Sequence, residues 1–221
     1  GGTGPQAAWV LARLGAKVLL ALEDRHEAML SQIPPGVFVG SEGKLTRAED
    51  IEGHGPHVPE VFIFEYTAGH PIGDLTPNRS SRVIIRFMVH GLQQDGEFER
   101  VSRDVAPTAA AGLLSGFNDE TPQRLDSSID AAFGMAEDWR HAGLGVIHLE
   151  SADGYSSPAA LEKVLNAAAG KVTSLGMSHS ELLALYPDAH QPMQAMHALA
   201  KRLRLERVCV HADTWVLIHL R

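Results

Sequence analysis

Two strand-like apolar runs lie close together in the C-terminal half of the chain, Val146–Glu150 and Lys171–Leu175. Between them the sequence predicts a helix from Pro158 to Ala169. Ser157 is a suitable N-cap for this helix, Pro158 suits its first position, and Gly170 stands just past its end. The pattern therefore predicts a strand, a helix and a second strand in succession.

Such a unit leaves its two strands parallel, because the crossover between them is almost always right-handed. Both strands then end at the same edge of the sheet, where open α/β sheets bind ligands. Glu150 ends the first strand, and Glu181 lies in the first turn of the next predicted helix. We expect these two carboxylates to lie within about 10 Å of each other, where they suit a Mg²⁺ ion and its phosphate ligand.

The remaining sequence divides into regions of different pattern. Up to about residue 23, it predicts a glycine turn, a helix ending near Leu14 and a buried strand, Val18–Leu22. Residues 24–94 contain short β-like runs, such as Val61–Tyr66, punctuated by glycine and proline. Strands and helices then alternate again. We predict an α/β core of residues 1–23 and 95–221, interrupted by a small β-rich lid of residues 24–94.

Composition narrows the classes of function. The 221 residues are 44% hydrophobic, which is enough for one sizeable core. A formal net charge of −8 and the lack of a dense Lys/Arg run argue against a nucleic-acid partner. The single Cys209 is compatible with a reducing cytoplasm, where we expect the protein. No apolar run approaches about 20 residues, so we expect no membrane span.

The two ends of the chain indicate a piece of a longer protein. The chain starts with Gly1-Gly2 rather than Met, and it stops directly after an apolar strand, at Leu220-Arg221. We therefore expect truncation at both ends. The sequence leaves the oligomeric state open.

Several short motifs occur in the order that one enzyme family shows. Phe62–Tyr66 with Gly69 resembles an I-x-E-Y…G segment, and Pro77–Ile84 resembles an A-P-x-A-N-R-F-I run with one extra residue. Four further segments follow along the chain: Leu114–Asn118 (S-G-hydrophobic-N/Q), His148–Glu150 (H-x-E), Ser178–Glu181 (N-x-x-E, with Ser for Asn) and Val210-His211 (V-H-T). Together they resemble the ADP-dependent glucokinase and phosphofructokinase family of ribokinase-like sugar kinases.

The resemblance implies a ribokinase-like α/β sandwich with a mainly parallel sheet and a small β-rich lid. It implies Mg²⁺-assisted phosphoryl transfer from ADP to glucose or fructose 6-phosphate, and the sequence does not choose between these sugars. An ATP-dependent ribokinase-type carbohydrate kinase is the enzymatic alternative, although such enzymes usually carry a shorter lid than residues 24–94. A non-catalytic sugar-binding relative is the alternative from another class.

The same resemblance gives individual residues their candidate roles. The candidates are Gly1, Gly2, Gln6, Glu65 and Asn118 for the substrate, Arg82 for phosphate, and Glu150 and Glu181 for Mg²⁺. His148 has a supporting role. Several candidates also have a simpler explanation: a glycine turn for Gly1-Gly2, a solvated strand face for Arg82, and a capping box with Ser178 for Glu181.

The catalytic base that the resemblance implies is not among these residues. In the family it is the Asp of a G-x-G-D motif at a helix N-terminus, whose backbone amides stabilise the transferring phosphoryl group. No G-x-G-D occurs in the 221 residues, so we expect it beyond Arg221. The chain as given should then lack full catalytic competence.

Overall fold

A computed structural model of the chain describes residues 3–55, 61–86, 91–92, 94–152, 154–187 and 191–221. The strands are β1 (Val18–Leu19), β2 (Val37–Ser41), β3 (Lys44–Arg47), β4 (Val61–Tyr66), β5 (Ser81–Arg86), β6 (Gly112–Leu114), β7 (Ile147–Glu150), β8 (Ser174–Ser178), β9 (Arg207–Ala212) and β10 (Trp215–Leu220). The α-helices are α1 (Thr3–Arg13), α2 (Glu27–Leu30), α3 (Gly96–Val105), α4 (Leu125–His141), α5 (Pro158–Ala168), α6 (His179–Leu185) and α7 (Pro192–Leu203). Short 3-10 helices cover Ala48–Asp50, Ala106–Thr108 and Phe117–Asp119.

The main sheet has the strand order β10-β9-β8-β7-β6. β6, β7, β8 and β9 are parallel neighbours, and β10 returns antiparallel to β9. This arrangement confirms the α/β class and the predicted parallel unit of β7, α5 and β8. Because successive strands are added on the same side, right-handed crossovers place their helices on one face of the sheet. Consistent with this, α4 packs against α5 and α5 against α7.

The hydrophobic core lies between this face of the sheet and the helices. Ile147 and Leu149 of β7 are fully buried, together with Phe133 of α4, Leu165 of α5 and Leu199 of α7. Burying a side chain of this size contributes about 1.5–3 kcal/mol. Alternation along a strand sends every second side chain to the opposite face, so the residues between these core positions form a separate surface.

That opposite face of the sheet is open along β10. Val216, Ile218 and Leu220 alternate on it and are 58%, 53% and 69% exposed. The polar side chains of His148 and Glu150 belong to the same face, because they alternate with the core residues of β7. The candidate site therefore lies on the side of the sheet that the described helices leave uncovered.

Helix α5 begins and ends close to the predicted positions. The Ser157 Oγ accepts a hydrogen bond from the Ala160 N–H at 3.2 Å, and Pro158 occupies the first helical position. Gly170 follows the helix with a φ of 75°, in the left-handed region that favours glycine at a helix end. These local signals were sufficient to predict the helix.

The strand after α5 begins later than predicted. The expected strand was Lys171–Leu175, and the observed strand β8 is Ser174–Ser178. The N–H groups of Lys171 and Val172 both donate to the Ala168 carbonyl, at 2.9 and 3.2 Å. These two residues therefore complete the end of the helix instead of entering the sheet. The strand prediction was wrong by three residues at its start.

A separate three-stranded sheet has the order β1-β2-β3, with β1 parallel to β2 and β3 antiparallel to β2. Ala8 of α1 packs with Val37 and Val39 of β2 in its small core. The prediction of a strand through Leu22 was wrong, because β1 ends at Leu19 and the Leu22 N–H donates to Asp95 instead. The predicted division at residue 24 passes through this sheet, since β1 precedes it and β2 follows it.

Strands β4 and β5 form a two-stranded antiparallel hairpin. Phe64 and Val83 are directly opposite each other on one face and are 56% and 50% exposed. Glu65 and Arg82 are likewise opposite each other, on the other face. Among the described residues, neither strand pairs with another sheet. The lid of residues 24–94 stays a prediction.

The buried side chain of Asp95 anchors the backbone at the start of α3. The Asp95 Oδ2 accepts hydrogen bonds from the Leu22 N–H at 3.0 Å and from the Arg25 Nη2 at 2.9 Å. The Asp95 Oδ1 accepts the Phe98 N–H and so caps α3. The Arg25 Nη2 also donates to the Gly40 carbonyl, at 3.1 Å. Asp95 thus joins the segment after β1 to the start of α3, and its partner Arg25 extends the contact to β2.

Glu120 plays a similar role at the main sheet. Its Oε1 accepts hydrogen bonds from the Leu92 N–H at 2.8 Å and from the Ser128 Oγ at 2.7 Å. A Cβ at Gly91 would overlap the Glu120 carboxylate, so the chain can pass this close only with glycine at that position.

In the described part of the chain, no helix is sufficiently long and apolar to cross a membrane.

We predict that Asp95→Asn lowers the free energy of unfolding by about 3–5 kcal/mol, because Arg25 would remain buried without a counter-charge. The side chains of this pair are only 11% and 6% exposed. The matched control is Asp138→Asn, which removes an ion pair with Arg103 whose side chains are 46% and 50% exposed. The control should cost less than about 1 kcal/mol. Urea unfolding measures both, and equal losses would contradict the anchoring role of Asp95.

Candidate functional site

Candidate residues from three neighbouring strands lie at the carboxyl edge of the main sheet. Asn118 is in the 3-10 turn directly after β6, Glu150 is the last residue of β7, and Glu181 is in the first turn of α6, directly after β8. Gly116 enters the turn before Asn118 with a φ of 97°, a conformation that favours glycine. The structure thus brings three of the sequence-predicted residues to one edge. The separation of the Glu150 and Glu181 carboxylates stays a prediction.

Glu150 is held by a histidine on each side. Its Oε2 lies 3.0 Å from the Nε2 of His148, and its Oε1 lies 3.3 Å from the Nε2 of His211. Burial raises the pKa of Glu150, but the hydrogen bonds and charges of His148 and then of His211 outweigh this effect and lower it below its ordinary value. Glu150 is therefore an ionised, oriented carboxylate at neutral pH.

The parallel register explains how one carboxylate reaches two strands. Glu150 is level with Gly176 of β8, and the next strand beyond Gly176 is β9, which carries His211. A Cβ at Gly176 would overlap the Glu150 Oε2 and would lie 2.8 Å from the His148 Nε2. Glycine at this position therefore lets Glu150 lie across β8, since no side chain stands in its way.

Glu181 has different surroundings. Its N–H donates to the Ser178 Oγ at 3.2 Å, and its Oε2 accepts the Ser178 N–H at 2.5 Å, so the two residues form a capping box. Glu181 also lines a cavity of about 200 Å³ with Tyr155 and Ser157. Burial raises the pKa of Tyr155 to about 12, which keeps its hydroxyl protonated at neutral pH. The capping alternative for Glu181 is confirmed, and its role toward a metal stays a prediction.

The other candidate residues lie on other elements. Gln6 is exposed on α1, and Glu65 and Arg82 are exposed on the β4–β5 hairpin. Between described residues, no hydrogen bond or ion pair joins any of these three to the carboxyl edge of the main sheet. Gly1 and Gly2 lie outside the described residues.

Sequence reasoning gave no role to several residues that shape this site. They are Ser174 and Gly176 of β8 and Arg207 and His211 of β9. All share one strand face with His148 and Glu150, and the even spacing of two or four residues within each strand is visible in the sequence. The register between strands is not visible there, so the spacing alone could not show which side chains meet.

Whether these residues suit Mg²⁺ depends on how many ligands the protein must supply. Within the ranges that the structure describes, no group of three or more His, Cys, Asp or Glu side chains is arranged to hold a metal ion. Mg²⁺ is usually bound by one or two carboxylates, while waters and substrate phosphates complete its six oxygens. Glu150 fits such a site, because it is ionised and its side chain is 25% exposed at the carboxyl edge of the sheet.

Known proteins resemble this chain in sequence and in structure. The model described as the ADP-specific phosphofructokinase/glucokinase conserved region matches residues 1–220. The chain belongs to this family. The resemblance indicated by the short motifs is therefore confirmed. The chain has no significant match among curated proteins.

Solved structures of kinases share its fold. A phosphofructokinase from Pyrococcus horikoshii OT3 with AMP gives a TM-score of 0.78 at 15% identity, over 100% of this chain and 56% of that chain. An ADP-dependent kinase in complex with fructose 6-phosphate and ADPβS gives 0.72 at 17% identity, over 94% and 52%. A fructokinase from Xylella fastidiosa with bound ATP gives 0.60 at 15% identity, over 100% and 65%. The chain spans about half the length of the ADP-dependent kinases it matches.

We predict that Gly176→Ala destabilises this family member by about 1–3 kcal/mol, because the added methyl group displaces Glu150 and His148. The matched control is Gly145→Ala. A Cβ at Gly145 meets no atom within 4 Å, so its effect should stay within about 0.5 kcal/mol. Urea unfolding gives both free energies. A Gly176→Ala variant as stable as the control would contradict the close approach of Glu150 to β8.

Proposed function

We propose that the parent protein of this chain is an ADP-dependent sugar kinase that transfers a phosphoryl group from ADP to glucose or fructose 6-phosphate. The observation that carries the proposal is the ionised Glu150, held by His148 and His211 at the carboxyl edge of the sheet. Membership of the ADP-specific family supports the choice of donor. Phosphoryl transfer needs little from a protein beyond positioning and charge stabilisation, which an oriented carboxylate beside a cation provides.

The histidines give Glu150 a fixed orientation. Each carboxylate oxygen has its own imidazole, so rotation of the carboxylate would break one of two hydrogen bonds. Glu150 would hold Mg²⁺ in this position, with Glu181 contributing through water. When bound, Mg²⁺ neutralises charge that develops on the transferring phosphoryl group and orients its oxygens.

The remaining candidate residues are proposed to bind the sugar and its phosphate. They are Gly1, Gly2, Gln6, Glu65 and Asn118 for the sugar and Arg82 for phosphate. Asn118 is supported by its place at the same sheet edge as Glu150. Glu65 and Arg82 are supported by their exposed, directly opposite positions on the hairpin, where a ligand can contact both. Closing such a lid onto phosphate would exclude water from the reaction.

The catalytic base is proposed to be the Asp of a G-x-G-D motif outside these 221 residues. The length of the similar ADP-dependent kinases supports this, because the chain covers only 56% and 52% of two of them. The single Cys209 supports a cytoplasmic location.

Two other functions remain candidates. The likeness to a fructokinase with bound ATP supports an ATP-dependent carbohydrate kinase, but the family match favours ADP. A non-catalytic sugar-binding relative would lack the G-x-G-D motif. Sequencing the gene beyond the codon for Arg221 separates the kinases from the binding protein. A G-x-G-D motif there favours an enzyme, and a stop codon favours the binding protein.

In the complete parent protein, we predict that Glu150→Gln lowers kcat by roughly 10²-fold or more while the KM for the sugar stays unchanged. The amide keeps the shape of the side chain but loses the charge that faces the transferring phosphoryl group. The control is Glu162→Gln, since Glu162 forms a solvent-exposed ion pair with Arg202 on the helices. Steady-state kinetics give both constants. A rise in sugar KM at constant kcat would contradict the role of Glu150.

We predict that the 221-residue chain alone does not phosphorylate a sugar. Loss of a general base costs about 10²–10⁴-fold in rate, and the amides of its helix would be lost with it. The measurement is formation of sugar phosphate with ADP or ATP, Mg²⁺, and glucose or fructose 6-phosphate, with the parent protein as positive control. Turnover within the usual kinase range of about 1–100 s⁻¹ would mean that another residue, such as Asp213, is the base.

A further inference from the structure

A chain of hydrogen bonds approaches Glu150 from the opposite end of the strands. The Nε of Arg207, the first residue of β9, lies 2.8 Å from the Oγ of Ser174. The same Oγ lies 2.8 Å from the Nδ1 of His148, whose Nε2 lies 3.0 Å from the Glu150 Oε2. The Arg207 Nη2 also lies 3.4 Å from the His148 Nδ1. The chain therefore runs from a permanent cation to an ionised carboxylate.

The chemistry of these groups favours one direction for the hydrogen bonds, because Arg207 can only donate while Ser174 can both donate and accept. A guanidinium has only donors, so the Arg207 Nε–H donates to the Ser174 Oγ. The Ser174 hydroxyl then has its own hydrogen to donate, and the His148 Nδ1 is positioned to accept it. The Arg207 Nη2 can likewise only donate toward Nδ1. Two donors thus face Nδ1, so the proton of the neutral imidazole belongs on Nε2, where it is donated to Glu150.

We propose that Arg207 and Ser174 are positioning residues that select the Nε2–H tautomer of His148 and thereby hold Glu150 in its orientation at the sheet edge. Only the purpose of that orientation rests on the proposed kinase function. In the other tautomer, a lone pair on Nε2 would face the carboxylate, and Glu150 would keep only its hydrogen bond from His211. Partners that orient a metal ligand in this way typically matter by about 10–100-fold in metal affinity or activity.

The surroundings of Arg207 support a directing role. Among the described residues, Arg207 forms no ion pair with a carboxylate, although its guanidinium is partly buried. Within the described residues, its side-chain hydrogen bonds are with Ser174 and His148. Ser174 is itself only 2% exposed, so its hydroxyl is shielded from competition by water. The parallel register places these three side chains beside one another on one sheet face.

The tautomer can be measured directly in the protein. Long-range ¹H–¹⁵N spectra distinguish a protonated from an unprotonated ring nitrogen, and they are recorded at a pH at which the His148 ring shows a single ring proton. A His148→Gln variant identifies which signals belong to His148. We expect an unprotonated Nδ1 and a protonated Nε2 in the wild type. A wild-type spectrum with the proton on Nδ1 would overturn the proposal without any further variant.

Two variants test which residues select the tautomer. Arg207→Met removes the donors but keeps the length of the apolar stem, and Ser174→Ala removes only the hydroxyl. Each should shift His148 toward a mixture of the two tautomers, and the control Arg202→Met on α7 should leave its signals unchanged. If both variants fold and keep the wild-type tautomer, Arg207 and Ser174 are structural only. If neither variant folds, the proposal is judged on the wild-type spectrum, which supports it with the His148 proton on Nε2 and overturns it with the proton on Nδ1.

Kinetics of the complete parent protein connect the tautomer to function. Arg207→Met and Ser174→Ala should each raise the Mg²⁺ concentration required for half-maximal activity by about 10–100-fold, with the sugar KM unchanged. A general loss of folded protein would instead lower kcat without changing the Mg²⁺ requirement, and that result would count against positioning. A wild-type parent without kinase activity would refute the proposed function, whereas the spectra would still decide the tautomer.

Discussion

The register of the three parallel strands β7, β8 and β9 is the constraint on which the candidate site depends. A shift of one residue in β7 would move His148 and Glu150 to the helix-covered face and bring Ile147 and Leu149 out of the core. Burying an ionised carboxylate in that core would cost far more than any hydrogen bond could return. The apolar packing of the helices therefore fixes the register, and the register in turn aligns Glu150 with Gly176.

Buried carboxylates satisfy backbone N–H groups that strand ladders and the first turn of α3 leave without a partner. The N–H groups of Leu22, Leu92 and Phe98 have no partner in a strand ladder, and a buried N–H without a partner is costly. Asp95 accepts two of them, and Glu120 accepts the third. These contacts join the three-stranded sheet to the chain that enters the main sheet, so the two sheets are connected by polar anchors rather than by a shared ladder.

Local signals made part of this fold predictable from the sequence. The caps of α5, the strand Trp215–Leu220 and the meeting of strand ends at one edge follow from neighbouring residues and from the handedness of crossovers. The end of β1 and the start of β8 were mispredicted, because their backbone groups bond to distant or helical partners. The role of Gly176 could not be predicted for the same reason, because the side chain that needs the space, Glu150, comes from another strand.

Glu150 and Glu181 illustrate how two carboxylates at one sheet edge acquire different properties. Glu181 gives an oxygen to the Ser178 N–H and so fixes where α6 begins, which ties its orientation to the stability of that helix. A cation that drew the Glu181 carboxylate away would break this bond. Glu150 is held by two imidazoles instead, and it caps no helix in the described part of the chain. Of the two, Glu150 can therefore bind a cation directly without loss to the fold, which leaves Glu181 better suited to act through a bridging water.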